Sequence, residues 1–406
     1  MKQNLDTNVQ VLPVAGVRVH TVAAGIRYQN RPDLVLFELA PGSHTAALFT
    51  QNAFCAAPVE VAKTHLRESM PRYWLINTGN ANAGMGEQGR EAALACCVAV
   101  AGLTQVKATE VLPFSTGVIA ERLPIEPIVK SLPSLVDGLN VSGWSLAASG
   151  IMTTDTKPKG ASRQFEVSGQ TYTISGIAKG AGMIKPNMAT MLAFLATDCS
   201  VAPSILQSIL AQATAASFNR ISVDGDTSTN DACVFAATGL AANQPIETEK
   251  GELYQVLLAQ TVDLCQELAI ELVKDGEGAS KCVTIEVAQA MSEQEAAKVA
   301  YTIAESPLCK TAFFASDPNW GRILAAVGRA GVAKLAVEKV QIYLDSLPLA
   351  TAGAVAPDYI ESRAQQIMAQ SAFKIRIELG RGDACYQVWT TDLSYDYVRI
   401  NAEYRT

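Results

Sequence analysis

The sequence has few histidines and no Cys-x-x-Cys motif. Only three histidines occur, His20, His44 and His65. A Ser-His-Asp triad or a multi-histidine metal site would have to draw on these three residues, and their spacing is not that of metal ligands. We therefore expect no metal. Nine cysteines occur without a Cys-x-x-Cys motif, which predicts buried, reduced thiols that serve packing.

The sequence also lacks a basic run, a long apolar run and an apolar leader. Lys and Arg number 32 against 39 Asp and Glu, a net charge of −7, which argues against nucleic-acid binding. Apolar runs such as Ala92–Leu103 are shorter than the ~18 residues that a membrane span needs. Because the polar start Met1–Gln10 does not resemble a signal peptide, we expect a cytoplasmic protein.

Strand-like and helical segments alternate without a repeat or a low-complexity linker. Apolar runs predict strands at Leu34–Leu39, Tyr73–Ile76, Tyr172–Ile177, Thr190–Thr197 and Cys282–Val287. Helical spacing predicts helices at Arg90–Leu103, Ser204–Phe218 and Leu253–Lys274, and a capping box at Ser292–Glu295 predicts a further helix to about Ile303. The alternating segments Phe373–Leu379 and Ala384–Thr390, separated by Gly-Arg-Gly-Asp, predict a hairpin. The mixture indicates an α/β or α+β fold with much antiparallel sheet, so we expect a layered sandwich.

The segment Lys179–Leu192, KGAGMIKPNMATML, contains the most informative pattern. If its Gly/Pro loop bends sharply, the Thr190 hydroxyl can attack the Ala189 carbonyl, and water can hydrolyse the resulting ester. The freed α-amine of Thr190, with a reference pKa near ~8, can then act as a base for its own hydroxyl. On the pattern alone, a glycine-rich turn before an ordinary core strand is the stronger interpretation.

Further motifs favour self-cleavage at Thr190 over an ordinary glycine-rich turn. They are NTGNANAG (Asn77–Gly84), PFSTGVI (Pro113–Ile119), IMTTDT (Ile151–Thr156), GDTSTND (Gly225–Asp231), DGEGASK (Asp275–Lys281), KTAFFASDPNWGR (Lys310–Arg322) and the final INAEYRT. Together with the Lys179–Leu192 segment they resemble, in order and over nearly the whole chain, the ornithine acetyltransferase family, self-cleaving enzymes of arginine biosynthesis with an N-terminal threonine. Long co-linear matches are far more specific than one short motif.

The resemblance implies a fold, a cleavage and a set of site residues. The fold is a sandwich of helices around two β-sheets, cut between Ala189 and Thr190 into an α chain, 1–189, and a β chain, 190–406, which assemble as α₂β₂. Thr190 is the implied nucleophile, and Thr116 and Gly117 form the implied oxyanion hole. The implied substrate contacts are Thr153, Lys179, Thr190, Glu277, Asn401 and Thr406. A shift of one residue in IMTTDT would select Thr154 instead of Thr153.

The resemblance also implies the reaction. An acetyl group moves from N²-acetylornithine to glutamate through an acetyl-threonine intermediate, with no cofactor. Lys179 offers a cation for a carboxylate and Glu277 an anion for an ammonium. Some family members also use acetyl-CoA as a donor. The motifs favour this two-donor form, although no short motif marks a CoA site.

Three alternatives stay open. A related self-cleaving amidohydrolase or aminopeptidase would pass its acyl group to water. A dinucleotide-dependent oxidoreductase could use Gly84–Gly89, which matches Gly-x-Gly-x-x-Gly, although the preceding strand-like segment ends seven residues earlier. A non-catalytic binding protein would keep the fold and remain one chain.

Overall fold

The computed structural model describes residues 9–185 and 191–404. The strands are β1 (Val17–Val22), β2 (Leu34–Leu39), β3 (His44–Phe49), β4 (Tyr73–Asn80), β5 (Val111–Val118), β6 (Lys159–Val167), β7 (Gln170–Lys179), β8 (Leu192–Thr197), β9 (Ile221–Ser222), β10 (Ala232–Ala237), β11 (Cys282–Ala290), β12 (Gln341–Leu344), β13 (Leu347–Thr351), β14 (Ala354–Val355), β15 (Ala372–Glu378) and β16 (Ala384–Thr391). The helices are α1 (Ala57–Glu68), α2 (Gly86–Thr104), α3 (Ile125–Asp137), α4 (Trp144–Gly150), α5 (Pro203–Ala216), α6 (Glu252–Lys274), α7 (Glu293–Ala304), α8 (Pro307–Phe314), α9 (Trp320–Arg329), α10 (Glu361–Met368) and α11 (Tyr395–Ala402). Each predicted strand and helix is present among the described residues. Leu34–Leu39 has the predicted bounds, and the ends of the others are shifted by a few residues.

The described chain forms two compact units. The first comprises the described parts of 1–219 and 226–272, and the second those of 220–225 and 273–406. The predicted cut before Thr190 therefore falls within the sequence range of the first unit. The α and β chains do not correspond to the two units, and the cut itself stays a prediction.

Two sheets pack face to face in the first unit. Their strand orders are β1-β2-β4-β5 and β3-β10-β8-β7-β6. The core between them is aromatic, and the ring of Phe37 on β2 lies 5.7 Å from that of Phe194 on β8. Leu34 and Leu36 of β2 belong to a second core, which includes side chains of α1, α2 and α3. Since both faces of β2 are covered, nearly all of its side chains are apolar.

Helices α5 and α6 cover the outer face of the five-stranded sheet. A Cβ placed on Gly176 of β7 would lie 3.0 Å from the side chain of Leu264 and 3.3 Å from that of Leu268, both on α6. The missing side chain therefore lets α6 pack closely on β7. The resulting helix–sheet–sheet–helix order confirms the predicted α+β sandwich of helices around two β-sheets.

The second unit adds a third sheet to the two that were expected. Its seven strands run in the order β14-β13-β12-β15-β11-β16-β9. Apolar side chains of β11 and of α7 share one core. The Ser292 hydroxyl accepts a hydrogen bond from the Glu295 N–H (3.2 Å), which confirms the predicted start of α7.

The predicted hairpin between the last two strands is wrong. β11 lies between them and pairs with β15 in parallel and with β16 in antiparallel. The loop Gly380–Asp383 crosses the end of β11, and the N–H groups of Arg381 and Gly382 donate to the Gln289 carbonyl over 2.8 and 3.1 Å. Turn residues predict a change of direction, whereas the choice of pairing partner depends on distant parts of the chain.

The described residues bear on membrane spans, metal ligands and thiols in different ways. None of the described helices is both long and apolar enough to cross a membrane. Within the described ranges no group of three or more His, Cys, Asp or Glu side chains could hold a metal ion. None of the nine cysteines forms a disulfide, but Cys385 on β16 is exposed and Cys55 is half-buried, so the prediction of buried thiols fails for them.

Candidate active site

Three strands of the five-stranded sheet begin or end at the same edge. Lys179, the last residue of β7, is opposite Leu192, the first residue of β8, and Leu192 is opposite Ala232, the first residue of β10. Thr190 precedes Leu192 by two positions in the sequence. Both Ala189 and Thr190 lie outside the described residues, so their roles stay predictions.

Thr116 and Gly117 lie near the carboxyl end of β5 rather than in a turn after it. Thr116 is 8% exposed. Gly117 has a φ of +134°, and a Cβ built there would lie 2.3 Å from the carbonyl carbon of Gly79. No other residue fits at this position without backbone movement, because β4 and β5 approach each other too closely.

The Lys179 side chain connects the two sheets at this edge. Its Nζ donates to the Thr116 Oγ1 over 3.0 Å. Because an ammonium group can only donate, the Thr116 oxygen is the acceptor, and its own O–H remains available to donate elsewhere. The structure thus brings a predicted oxyanion-hole residue and a predicted substrate contact together.

Asp155 lies beneath this contact and is fully buried. Its Oδ1 accepts from Lys159 Nζ and from the Gly180 N–H, both at 2.7 Å, and its Oδ2 accepts from the Thr153 N–H at 3.0 Å. Burial would raise the pKa of Asp155, but the charges of Lys159 and Lys179 and these hydrogen bonds hold that pKa well below its ordinary range. Asp155 is therefore ionised at neutral pH.

Thr153 has a half-buried side chain on a fixed backbone. Its N–H donates to Asp155, and its carbonyl accepts from an Arg31 guanidinium nitrogen over 3.1 Å. The same nitrogen of Arg31 also donates to the Met152 carbonyl over 2.7 Å. Thr154 is equally half-buried, so the choice between the two threonines stays a prediction.

Asn230 was not predicted as a site residue, although it lies in the GDTSTND motif. Its amide nitrogen donates to the carbonyls of Ala81 (2.6 Å) and Ser115 (2.9 Å), and the Ser115 hydroxyl donates to Asn77 Oδ1 (2.6 Å). The Ser115 carbonyl belongs to the same planar peptide as the Thr116 N–H. Asn230 therefore fixes the peptide that leads into the predicted oxyanion hole.

Asp231 is a second buried acid at this edge. Among the described residues, its Oδ2 has no hydrogen-bond partner. Burial raises the pKa of Asp231 well above its ordinary value, against the opposing effects of Ser228 and Lys179. The ammonium group of Lys179 supplies a positive charge at this edge, which suits a substrate carboxylate.

The second unit brings two other predicted contacts together. The amide nitrogen of Asn401, on α11, donates to Glu277 Oε2 over 2.8 Å and to the Tyr397 carbonyl over 3.0 Å. Asn401 is exposed and Glu277 half-buried. Asp392 fixes the loop after Glu277, because its carboxylate accepts from the N–H groups of Ser280 (2.8 Å) and of the next residue (3.0 Å). Thr406 lies outside the described residues.

A buried lysine lies next to that loop. Lys310, 4% exposed, donates through Nζ to the Thr391 hydroxyl over 3.0 Å and to the Thr390 hydroxyl over 3.2 Å. Burial lowers the pKa of Lys310 to about 8, against the opposing charges of Asp392, Asp224 and Glu305. The cation helps to fix the end of β16, from which Asp392 extends.

The fold is that of an α+β sandwich enzyme. Its strand ends bring together the Thr116 hydroxyl, the Lys179 cation and Gly117, a position where the close backbone of β4 requires glycine. Acyl-transfer enzymes use groups of these kinds. A profile of the ArgJ family matches residues 18–406. The chain belongs to the ArgJ family.

Curated relatives extend over almost the whole chain. The arginine biosynthesis bifunctional protein ArgJ of Pseudomonas syringae pv. tomato is 53% identical over 394 residues, covering 97% of both chains. The protein of the same name from Methylococcus capsulatus is 53% identical over 401 residues, covering 98% of both. A crystal structure of the ArgJ protein of Bacillus halodurans is 37% identical and covers 52% of this chain and 98% of its own, with a TM-score of 0.49.

Proposed function

We propose that this chain is a self-cleaving ornithine acetyltransferase that moves the acetyl group of N²-acetylornithine to glutamate in arginine biosynthesis. Membership of the ArgJ family supports this proposal, as do two whole-chain relatives named arginine biosynthesis bifunctional proteins. The observation that carries it is the Lys179–Thr116 contact beside Gly117, at the edge where β8 begins two residues after Thr190.

Cleavage comes first in this scheme. The Thr190 hydroxyl attacks the Ala189 carbonyl carbon, the C–N bond breaks, and an ester links Ala189 to the Thr190 oxygen. Water hydrolyses that ester and leaves a carboxylate on Ala189 and a free α-amine on Thr190. This amine can take the proton of its own hydroxyl, so no histidine is needed.

Acetyl transfer then proceeds in two half-reactions. The Thr190 oxygen attacks the acetyl carbonyl of the donor, while the Thr116 hydroxyl and the Gly117 N–H stabilise the oxyanion. Each such donor contributes roughly a 10²–10³ factor in rate. Ornithine leaves with a proton from the α-amine, and the glutamate amine attacks the acetyl ester on Thr190. The product is N-acetylglutamate, and the kinetics are ping-pong.

Substrate recognition divides between carboxylate and ammonium groups. Lys179, with Thr153 nearby in the network of Asp155, offers a cation to the substrate carboxylate. The Glu277 carboxylate, oriented by Asn401, offers an anion to an ammonium group. We further propose that Thr406 contributes to this site. The two chains assemble as α₂β₂ in the cytoplasm. The reaction needs no cofactor, and acetyl-CoA serves as a second acetyl donor.

The test combines mass spectrometry with product analysis. The intact chain has a mass of 43.0 kDa, and we expect two fragments that meet between Ala189 and Thr190. Incubation with N²-acetylornithine alone should leave an acetyl group on the Thr190 fragment, and addition of glutamate should release it as N-acetylglutamate.

Two variants serve as controls. Thr190→Ala should remain one chain without activity, whereas Thr190→Ser, which keeps a hydroxyl, should still cleave. Release of free acetate without glutamate dependence would indicate a hydrolase instead. An uncleaved, fully active wild-type protein would refute the scheme. A third incubation with acetyl-CoA and glutamate tests the second donor.

A further inference from the structure

We propose that Asp155 is a positioning residue for recognition of the substrate carboxylate, with Lys159 as the counter-charge that keeps Lys179 beside Thr116. This inference rests on the proposed function, because it takes Thr153 and Lys179 as substrate contacts.

The Asp155 carboxylate connects two separate segments of the site. One oxygen accepts from the Thr153 N–H over 3.0 Å, and the other accepts from the Gly180 N–H over 2.7 Å. Gly180 directly follows Lys179, so the second bond fixes the backbone from which the Lys179 side chain extends. The distance between the two predicted contacts thus depends on one carboxylate.

Only an ionised acid meets the demands of this position. Three N–H donors, from Thr153, Gly180 and Lys159, converge on Asp155. A carboxylate accepts through both oxygens, whereas an amide has one acceptor oxygen and would direct an NH₂ group at a donor. Hydrogen bonds to a charged acceptor are also about twice as strong as neutral ones, so the backbone is fixed more firmly.

Lys159 completes the arrangement by balancing the charge. Its Nζ lies 2.7 Å from Asp155, and the two side chains are 1% and 0% exposed. A buried carboxylate without a partner is strongly unfavourable, so in the absence of Lys159 it would attract the next nearest cation. Lys179 is the other cation whose charge acts on Asp155. Removal of Lys159 should therefore draw Lys179 away from Thr116 and from the substrate.

The experiment is a double-variant cycle on the full chain: Asp155→Asn, Lys159→Met and both together. Asp198→Asn is the matched control, since Asp198 is also a buried acid that accepts from a backbone N–H (Thr173, 2.9 Å) but lies at the opposite end of the same sheet. The readouts are KM and kcat for N²-acetylornithine and for glutamate, the fraction cleaved, and the melting temperature.

We expect each single variant to raise both KM values by about tenfold, with a smaller change in kcat, because ground-state recognition is lost more than chemistry. The double variant should have lower KM values than Lys159→Met alone, because no unpaired carboxylate remains to attract Lys179. Asp198→Asn should keep both KM values even where its melting temperature falls. Unchanged KM values in Asp155→Asn, or KM losses that simply multiply in the double variant, would overturn the inference.

A second pair of variants keeps the test decisive if Asp155→Asn does not fold. Lys159→Arg retains the charge and should keep KM near the wild-type value, whereas Lys159→Met should raise it; equal KM values would overturn the inference. Failure of the proposed function is visible separately, in the wild type, as absence of cleavage or of an acetyl group on Thr190. A wild type with both, combined with unchanged KM in the variants, rejects this inference alone.

Discussion

The polar groups that we place at or beside the candidate site differ between the two units in how firmly they are fixed. In the first unit, Thr116, Asp155 and Asn230 are buried. Thr116 accepts from the Lys179 ammonium, whereas Asp155 and Asn230 bond to backbone groups. In the second unit, Glu277 lies on a loop and Asn401 on α11, a helix with no buried residue among those described.

This difference matches two demands of catalysis. Oxyanion stabilisation depends on donors that do not reorient during the reaction, which favours groups held by strands and buried hydrogen bonds. Selection of a substrate requires that it can enter and leave, which favours groups on less stable surface elements. Four sets of substitutions test this comparison, from the largest expected effect on activity to the smallest.

Gly117→Ala should have the largest effect, because its Cβ would lie 2.3 Å from backbone at a φ of +134°. We expect the free energy of unfolding to fall by about 3 kcal/mol or more, with loss of acetyl transfer. The control is Gly169→Ala, at a φ of +77° with no atom within 4 Å, which should cost only about 1 kcal/mol. Chemical denaturation measures both values, and similar losses would show that the close approach of β4 and β5 is unimportant.

Asn230→Ala should leave the carbonyls of Ala81 and Ser115 without their donor. We expect a loss of about 1–3 kcal/mol in stability. The freed peptide before Thr116 should also lower kcat by about tenfold or more. Asn243→Ala is the control, because the Asn243 amide also donates to two carbonyls, those of Ser200 and Gln244. If both variants change kcat equally, Asn230 does not act on the oxyanion hole.

Glu277→Gln and Asn401→Ala should change binding more than stability. We expect unfolding free energies within about 0.5 kcal/mol of wild type, since the pair is largely solvated. KM for N²-acetylornithine should rise by about tenfold with little change in kcat. Asp396→Asn, which removes an exposed ion pair with Arg399 on the same helix, should leave KM unchanged. A kcat effect as large as the KM effect would contradict the proposed division of roles.

Lys310 should have the smallest effect on activity, and its variant tests a pH dependence of stability instead. Its pKa is lowered from 10.5 to about 8 in the folded chain, mainly by burial. Between these values the unfolded chain binds more protons, so the free energy of unfolding should rise with pH, by about 1 kcal/mol per unit. Below pH 8 the cost of the buried charge is fully present. Lys310→Met should lack this rise. If the free energy of unfolding changes equally in the two proteins as the pH rises above 8, the lowered pKa of Lys310 is contradicted.

Segments with local signals were predictable from the sequence. The strand Leu34–Leu39 has the predicted bounds, because a run of six residues that is apolar except for Glu38 suits a strand covered on both faces. The helix predicted at Leu253–Lys274 begins one residue earlier and ends before Asp275-Gly276, a local stop signal.

Features that depend on distant contacts were not predictable. Asn230 contacts Ser115 across 115 positions of sequence, so its role requires knowledge of which strand ends meet. The same applies to Gly117, whose need for glycine arises from Gly79 on a neighbouring strand. The choice of β11 rather than β16 as the partner of β15 is of the same kind.

The position of β11 in its sheet has a consequence for synthesis of the chain. Cys282 on this strand pairs with Ala372 on one side and with Thr391 on the other. A nascent chain emerges from its N-terminal end, so β11 leaves the ribosome long before either neighbour exists. We expect the centre of this sheet to close only after the residues up to Thr391 have emerged, which leaves an apolar strand edge exposed to chaperones or to aggregation until then.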